Sequence, residues 1–142
     1  MSPISLLLNI AWIVFGGFWT AAGWFIAGIL MILTIIGLPW AGAAFRIGWY
    51  TLLPFGQIVV PRSAYDYADP AAGPLGMIGN VIWLLLAGWW LALAHLVTAV
   101  GLALTIIGLP FAWAHLKLAA LALWPIGQMV VTLEEAESLR RV

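Results

Sequence analysis

One six-residue sequence occurs twice in the chain, and this repetition constrains the fold more than any other feature. Thr34-Ile-Ile-Gly-Leu-Pro39 returns as Thr105-Ile-Ile-Gly-Leu-Pro110. A shift of 71 positions (80 − 9) aligns residues 9–60 with residues 80–131 without a gap, and 20 of the 52 aligned pairs are identical. The chain is therefore a tandem duplication in which each repeat is one structural unit, and the two units must pack on each other.

Glycine and proline in the repeated sequence predict where one helix ends and the next begins. Gly37 and Gly108 are expected to end an apolar helix with a positive φ. Pro39 and Pro110 are expected in the first turn of the following helix, where the missing N–H costs nothing. The six residues thus predict a corner between two helices.

The composition indicates an integral membrane protein. The chain has 142 residues, of which 65% are hydrophobic and 7% charged, and its mean hydropathy is +1.14. This is too little polar surface to cover a water-soluble globule, and the ten tryptophans suit the membrane interface. Cysteine is absent, which excludes thiol chemistry. All charges lie within residues 46–69 and 117–141, so the chain has no basic stripe for nucleic acid.

The first apolar run is too long for one straight span. Residues 4–38 contain no charge, and as one helix they would reach roughly 52 Å against a hydrocarbon core of roughly 30 Å. We predict a break at Gly16-Gly17, whose second glycine recurs as Gly88, and hence a helical hairpin of residues 4–15 and 18–37. The run lacks the basic region of a signal peptide, so it is expected to be retained.

Shorter apolar segments follow each corner. Residues 40–53 and 111–124 each end at a proline and would be about 20 Å long as helices, which favours an interfacial or re-entrant course. The β-branched residues 58–60 and 129–131 predict short extended segments at the membrane surface. Gln57 and Gln128, beside the turns, are expected to satisfy turn backbone.

The duplication divides a single membrane domain, residues 1–142, into four parts. These are repeat 1 at residues 4–60, a polar linker at 61–75, repeat 2 at 76–131 and a cytoplasmic tail at 132–142. The linker carries Arg62, Asp66, Asp69, Pro70 and Pro74, and little ordered structure is expected there.

The tail is expected to begin a helix in water. Thr132 and Glu135 have the spacing of a capping box. Glu137 can pair with Arg140 or Arg141 at three- and four-residue spacing.

The distribution of charge predicts the topology. An even number of crossings per repeat puts the linker, both termini and every charged residue on one face, and the positive-inside rule makes that face cytoplasmic. We therefore predict an all-α integral membrane protein of tandem helical-hairpin repeats. It would have about four transmembrane helices, short proline-bounded interfacial or re-entrant helices, and both termini in the cytoplasm.

Two cations occupy the same repeat position inside apolar segments. Arg46 and Lys117 are costly in a bilayer, so they are candidates for binding an anion or an anionic lipid headgroup. The alternative is that both side chains extend to the headgroups as membrane anchors, supported by cation–π contact with Trp49, Tyr50 and Trp113.

A second set of polar residues either lines a pathway or stabilises helix packing. Its members are Asn9, Asn80, Thr34, Thr105, His95 and Thr98. A membrane asparagine bonds across helix contacts more often than it lines a pore, and a membrane threonine commonly bonds the carbonyl one turn earlier.

Histidine is confined to the second repeat. His95 and His115 stand where the first repeat has Trp24 and Ala44, and no cysteine or carboxylate lies in the apolar segments. We therefore expect no metal site, no cofactor and no enzymatic activity.

Several motifs of the second repeat resemble a known family. They are Asn80-Val-Ile-Trp83, Gly88-Trp-Trp-Leu-Ala-Leu-Ala-His95, Thr105-Ile-Ile-Gly-Leu-Pro110, Lys117-Leu-Ala and Leu121-Ala-Leu-Trp-Pro125. The chain resembles the YccF family of small bacterial inner-membrane proteins, whose domain is similarly duplicated. The first repeat departs from the pattern, with Trp24 in place of the histidine and Arg46 in place of the lysine. The resemblance implies residence in the inner membrane and no settled activity.

Two functions agree with these features. The first is an oligomeric channel or pore that conducts anions, since a buried cation raises the barrier to cations. The second is a non-transporting module that binds anionic lipid or scaffolds a partner protein. We expect membrane lipids as partners and a homo-oligomer, because the small residues Gly23 and Ala27 or Ala99 and Ala103 allow close contact within or between chains.

Overall fold

A computed structural model describes residues 2–65 and 73–140. The linker residues Asp66, Asp69 and Pro70 and the possible ion-pair partner Arg141 lie outside the described residues. Most of the described chain is helical, as predicted, and it contains one short pair of strands.

Each repeat consists of a long helix and a shorter helix that returns along it. In repeat 1, α1 (Pro3–Trp12), a π-helical turn (Ile13–Gly17) and α2 (Phe18–Leu33) precede a 3₁₀ turn (Leu38–Trp40) and α3 (Ala41–Leu52). In repeat 2, α4 (Pro74–Trp83), a π-helical turn (Leu84–Gly88) and α5 (Trp89–Ala103) precede α6 (Leu109–Leu123). α3 packs along α2, and α6 packs along α5.

The predicted hairpin turn at Gly16-Gly17 is wrong. The helix is kinked there but does not fold back, and the hairpins form at the corners after α2 and α5. Within the π-helical turn of repeat 1 only Phe15 and Gly16 leave helical φ and ψ, and Ala87 occupies the position of Gly16 in repeat 2 without a positive φ. One or two non-helical residues bend a helix, whereas reversal needs a loop.

The positive φ predicted at Gly37 and Gly108 is also wrong. Their φ values are −77° and −74°, and Ile35 takes the positive value of 60° in repeat 1. Glycine is required for a different reason, close approach: a Cβ on Gly37 would lie 2.8 Å from the carbonyl oxygen of Met31. A Cβ on Gly108 would overlap the Leu102 carbonyl in the same way. The prolines lie in the first turn of the following helix, as predicted.

The two extended segments form an antiparallel ribbon that joins the repeats. β1 (Gln57–Pro61) pairs with β2 (Gln128–Thr132), so the all-α description needs this one amendment. Val59 pairs with Val130, which is its own repeat equivalent. The two repeats are therefore related by a rotation whose axis passes between these two valines.

The same axis passes through the core. Trp24 of α2 donates its indole N–H to Nε2 of its repeat equivalent His95, at 3.1 Å. Gly23 packs against Leu91 of the other repeat, and Ala27 and Ala99 are buried. These small residues thus serve contact within one chain, and the expected homo-oligomer stays a prediction.

The tail begins as predicted. α7 (Leu133–Leu139) starts with a capping box in which the Thr132 side chain accepts from the Glu135 N–H and the Glu135 carboxylate accepts from the Thr132 N–H. Thr132 lines a small cleft of about 180 Å³ with Ser2 and Ser5, so the N-terminal segment and the tail lie at the same end of the molecule.

Two helices of the described chain are long and apolar enough to cross a membrane. They run from Pro3 to Leu33 and from Pro74 to Ala103, over 31 and 30 residues. α6, at 15 residues, is apolar but shorter. Large hydrophobic side chains cover much of the outer surface of these helices. Long apolar helices with an apolar outer surface are expected in a membrane protein, whereas four crossings stay a prediction.

Candidate functional site

The two asparagines hold the turns that lead into the ribbon. The Asn9 amide donates to the Phe55 carbonyl and accepts from the Phe55 N–H, both at 3.0 Å. Asn80 does the same with Ile126, at 3.1 and 3.0 Å. Both asparagines are buried, and each side chain uses its donor and its acceptor on backbone. These contacts are those of packing residues.

Two tryptophans make the matching contact one helical turn later. The Trp12 indole N–H donates to the Thr51 carbonyl, and the Trp83 indole N–H donates to the Ala122 carbonyl, each at 2.7 Å. Both indoles are fully buried. The long helix of each repeat is therefore bonded at two levels to the end of its returning helix.

The threonines bond their own helices. Thr34 and Thr105 donate to carbonyls three residues earlier, and each accepts from the corner glycine, Gly37 or Gly108. Thr98 donates to the Ala94 carbonyl at 2.8 Å. None of these hydroxyls is left as a free polar lining, since each has a bond within its own helix or corner.

His95 and His115 belong to a buried chain of hydrogen bonds. Nδ1 of His95 lies 2.9 Å from Nδ1 of His115, and both rings are fully buried. Because Nε2 of His95 accepts from Trp24, a neutral His95 carries its proton on Nδ1 and donates it to His115. The proton of His115 then lies on Nε2, which faces the kink at Phe15 and Gly16 without a hydrogen bond of good geometry among the described residues.

This chain of hydrogen bonds links the three helices α2, α5 and α6, and it does not relay protons. It begins at the Trp24 indole, which is a donor only, so a proton that entered from His115 would have no exit there. The His115 ring also stacks on Trp12, with ring centroids 4.3 Å apart. The sequence left open whether His95 lines a polar pathway or stabilises helix packing, and its contacts in the structure are those of packing between the repeats.

Arg46 lines a cleft at the ribbon end of the molecule. The Arg46 cleft has a volume of about 620 Å³, and the Arg46 side chain is exposed. Its lining residues come from α3, the ribbon and the segment after β1: Arg46, Trp49, Tyr50, Leu53, Gln57, Arg62, Met129 and Val130. Two arginines thus share one cleft, and their positive charges repel each other.

Lys117 lines a second cleft of about 600 Å³, and its side chain is also exposed. This Lys117 cleft is bounded by α6, the ribbon and the turn after α3, and it includes Trp124, Gln128, Ile58 and Val59. The two clefts meet at Tyr50 and Gln57, which line both.

The two clefts are repeat equivalents of each other. Seven of the eight residues of the Arg46 cleft have their equivalents in the Lys117 cleft: Arg46 with Lys117, Trp49 with Ala120, Tyr50 with Leu121, Leu53 with Trp124, Gln57 with Gln128, Met129 with Ile58 and Val130 with Val59. The rotation therefore places the paired cations in separate clefts rather than in one shared site. Each cleft also has a partly exposed tryptophan, Trp49 at 64% and Trp124 at 45%.

Comparison with known proteins supports the duplication and gives the family. The YccF family, described as "Inner membrane component domain", matches twice, at residues 7–57 and 78–128. The chain is 37% identical over 139 residues to "Inner membrane protein YccF" of Escherichia coli (strain K12), covering 94% of this chain and 92% of the relative. The protein of the same name from Shigella flexneri gives the same values. No solved structure gives a significant match.

The chain belongs to the YccF family. The two family matches are offset by 71 residues (78 − 7), the same shift that aligns the repeats. The membership agrees with the inner-membrane location that the sequence motifs implied, and the names of these relatives state no activity.

One residue of the site was missed by sequence reasoning in this YccF chain. Arg62 was assigned to the polar linker because the gapless alignment stops at Val60 and Val131. The signal that would have found it is its position directly after the strand, since a strand paired with its own repeat brings both flanking residues back to the ribbon. Gln57 and Gln128 were expected to satisfy turn backbone, and both also line the clefts.

Proposed function

We propose that this chain is a non-transporting inner-membrane module that binds anionic phospholipid headgroups in the Arg46 and Lys117 clefts. The observation that carries the proposal is the repeated cation: Arg46 and Lys117 stand at one position in two equivalent clefts. Cationic side chains near a membrane surface attract anionic lipids by about 1 kcal/mol each.

Three properties of the clefts fit a phospholipid headgroup. Each cleft offers a cation and a glutamine side chain at the mouth of an apolar surface. Trp49 and Trp124 are exposed beside them, and tryptophan concentrates where hydrocarbon meets headgroups. No carboxylate of the described residues lines either cleft, so a phosphate would meet no competing anion there.

The proposal includes the topology. Each long helix would enter the membrane and each returning helix would come back to the starting face, so the ribbon and both termini would lie in the cytoplasm. The segment from Leu38 to Leu52 is only about 22 Å long, so the corners would end inside the far part of the bilayer, a re-entrant course. The corner residues support this, because Ile35 and Ile106 are apolar and 77% and 88% exposed.

Single thiols test the topology. Ser63 and Ser138 are exposed at the ribbon end, and cysteine at either position is expected to react with a membrane-impermeant maleimide in inverted inner-membrane vesicles and not in intact spheroplasts. Labelling of the two thiols from opposite sides would contradict the even number of crossings.

Anionic lipid should stabilise the protein through both cations. Phosphatidylglycerol is expected to raise the unfolding temperature in neutral detergent, and Arg46→Gln or Lys117→Gln should each remove about 2–4 °C of that rise. The double variant should lose both increments additively, because the cations lie in separate clefts.

Three controls separate binding from anchoring and from general charge. Arg46→Lys and Lys117→Arg keep the charge and should keep most of the lipid response. Arg140→Gln removes an exposed cation that lines neither cleft and should leave the response unchanged. If Arg46→Gln, Lys117→Gln and wild type respond equally to phosphatidylglycerol, the two residues are anchors and the proposal is wrong.

An oligomeric, anion-conducting channel stays a prediction without a specific observation in its favour. The polar residues suggested for its lining are bonded to backbone or to one another inside a single chain. Anion flux from proteoliposomes above that of empty vesicles would favour the channel over the non-transporting module.

A further inference from the structure

The Arg46 cleft contains a second cation that its repeat equivalent lacks. The backbone N–H of Arg62 donates to the Gly127 carbonyl at 3.0 Å, and the backbone N–H of Leu133 donates to the Gly56 carbonyl at 3.3 Å. Gly56 and Gly127 are themselves repeat equivalents, so the two bonds show that Arg62 and Leu133 occupy the same position in the fold. The duplication thus gives two versions of one cleft: Arg62 lines the Arg46 cleft, whereas its equivalent Leu133 is not among the described residues that line the Lys117 cleft.

Two arginines in one cleft favour a ligand with two negative charges. The guanidinium groups of Arg46 and Arg62 repel each other, and none of the described residues that line the cleft is acidic. Guanidinium binds phosphate oxygens through paired N–H donors, and such bonds are the strong ones among hydrogen bonds. An anion between the two groups would replace repulsion by two attractions.

We propose that the Arg46 cleft selects a phosphomonoester over a phosphodiester, whereas the Lys117 cleft does not distinguish them. The inference rests on the proposed function, since it names the headgroup class that one of the two clefts prefers. A phosphomonoester carries about −1.5 to −2 charges near pH 7, whereas a phosphodiester has a single negative charge. Arg62 is the residue that sets the preference.

The ligand is either a lipid with a phosphomonoester headgroup or a soluble phosphomonoester. Phosphatidic acid and glycerol 3-phosphate represent the two sources in the experiment. Trp49 is exposed at the cleft, so the cleft lies next to apolar surface. A lipid headgroup requires such surroundings.

The test is a repeat swap measured with purified protein in neutral nanodiscs. Wild type is expected to bind dioleoyl phosphatidic acid about tenfold or more tightly than dioleoyl phosphatidylglycerol, as one extra charged hydrogen bond implies. Arg62→Leu copies the residue of the second repeat, and it should abolish this preference because phosphatidic acid loses more affinity than phosphatidylglycerol does.

Two further arms separate the sources and the ionisation state. Displacement of phosphatidic acid by millimolar glycerol 3-phosphate would identify a soluble phosphomonoester as a ligand, and resistance to it would identify the lipid. The preference should shrink from pH 7.5 to pH 5, because a phosphomonoester loses its second charge around pH 6. The described charged or titratable residues that line the cleft are Arg46, Arg62 and Tyr50.

The outcomes distinguish this inference from the proposed function. Wild type without a preference, or Arg62→Leu with an undiminished one, would overturn the role of Arg62 while leaving lipid binding intact. If Arg46→Gln and Lys117→Gln bind phosphatidylglycerol as wild type does, the proposed function itself fails. Unfolding temperature in lipid-free detergent checks the fold of each variant, and Arg62→Gln replaces Arg62→Leu if the leucine variant is unstable.

Discussion

Replacing Asn80 by alanine is expected to lower the free energy of unfolding by about 3 kcal/mol. The change removes the side-chain donor and acceptor that satisfy the carbonyl and the N–H of Ile126, and all of these atoms are buried. A buried backbone group that loses its partner costs about 1–3 kcal/mol, and here two are left at the turn that leads into β2. Reversible unfolding in mixed detergent micelles measures the loss.

The first repeat provides a matched control for this prediction. Asn9→Ala removes the equivalent pair of bonds to Phe55, which are only partly buried, so a smaller loss is expected. Asn80→Asp keeps the acceptor for the Ile126 N–H and should fall between alanine and wild type. An unfolding free energy within 0.5 kcal/mol of wild type for Asn80→Ala, roughly the size of a neutral surface change, would contradict the packing role.

Gly88→Ala is expected to destabilise the second repeat by about 2–3 kcal/mol. Its new Cβ would lie 2.8 Å from the Ala122 carbonyl oxygen, the same atom that accepts the Trp83 indole N–H. The carbonyl cannot move away from the methyl group without lengthening that bond. A single residue therefore disturbs both the π-helical turn and the contact between the long helix and α6.

A second glycine of the same long helix provides a control, because a change from glycine to alanine there meets no close neighbour. Gly101 lies in α5, and a Cβ there would meet nothing within 4 Å. Gly101→Ala should therefore gain about 0.5–1 kcal/mol from helix propensity. Equal effects of the two substitutions, measured by the same unfolding experiment, would show that close packing at Gly88 does not decide its identity.

The parts of the fold that the sequence predicted are those with local physical signals. The capping box at Thr132 and Glu135 needs only four residues, and the β-branched runs beside Gln57 and Gln128 predict strands wherever they lie. The duplication predicted that the repeats pack on each other, and Trp24 meets His95 at their interface. Pairing of the two strands with each other was not predicted, because it depends on the direction of the axis between the repeats.

The wrong predictions share one cause. The adjacent glycines Gly16 and Gly17 predict a turn, and Gly37 predicts a left-handed helix cap. Gly17 and Gly37 are needed because another group comes close: the Trp12 indole packs on Gly17, and the Met31 carbonyl packs on Gly37. Gly16 does take a positive φ, of 113°, but this bends the helix without reversing it. A sequence shows that a side chain is absent but not whether backbone freedom or close packing requires its absence.

The candidate site was predicted in part, through the repeat position of Arg46 and Lys117. Whether these cations share one site or occupy two could not be predicted, because the position of the rotation axis is set by tertiary packing. Arg62 lay beyond the aligned repeat and was therefore not compared with Leu133. For the asparagines and threonines the sequence predicts either a pathway lining or a packing role, and only the structure shows which backbone groups they bond.

Native mass spectrometry in the presence of phosphatidylglycerol tests lipid binding in the paired clefts most directly, because it counts bound lipids on each protein molecule. Two retained lipids per chain are predicted for wild type, one each for Arg46→Gln and Lys117→Gln, and none for the double variant. A double variant that retains two lipids, at the same detergent concentration and collision energy, would contradict headgroup binding at these clefts.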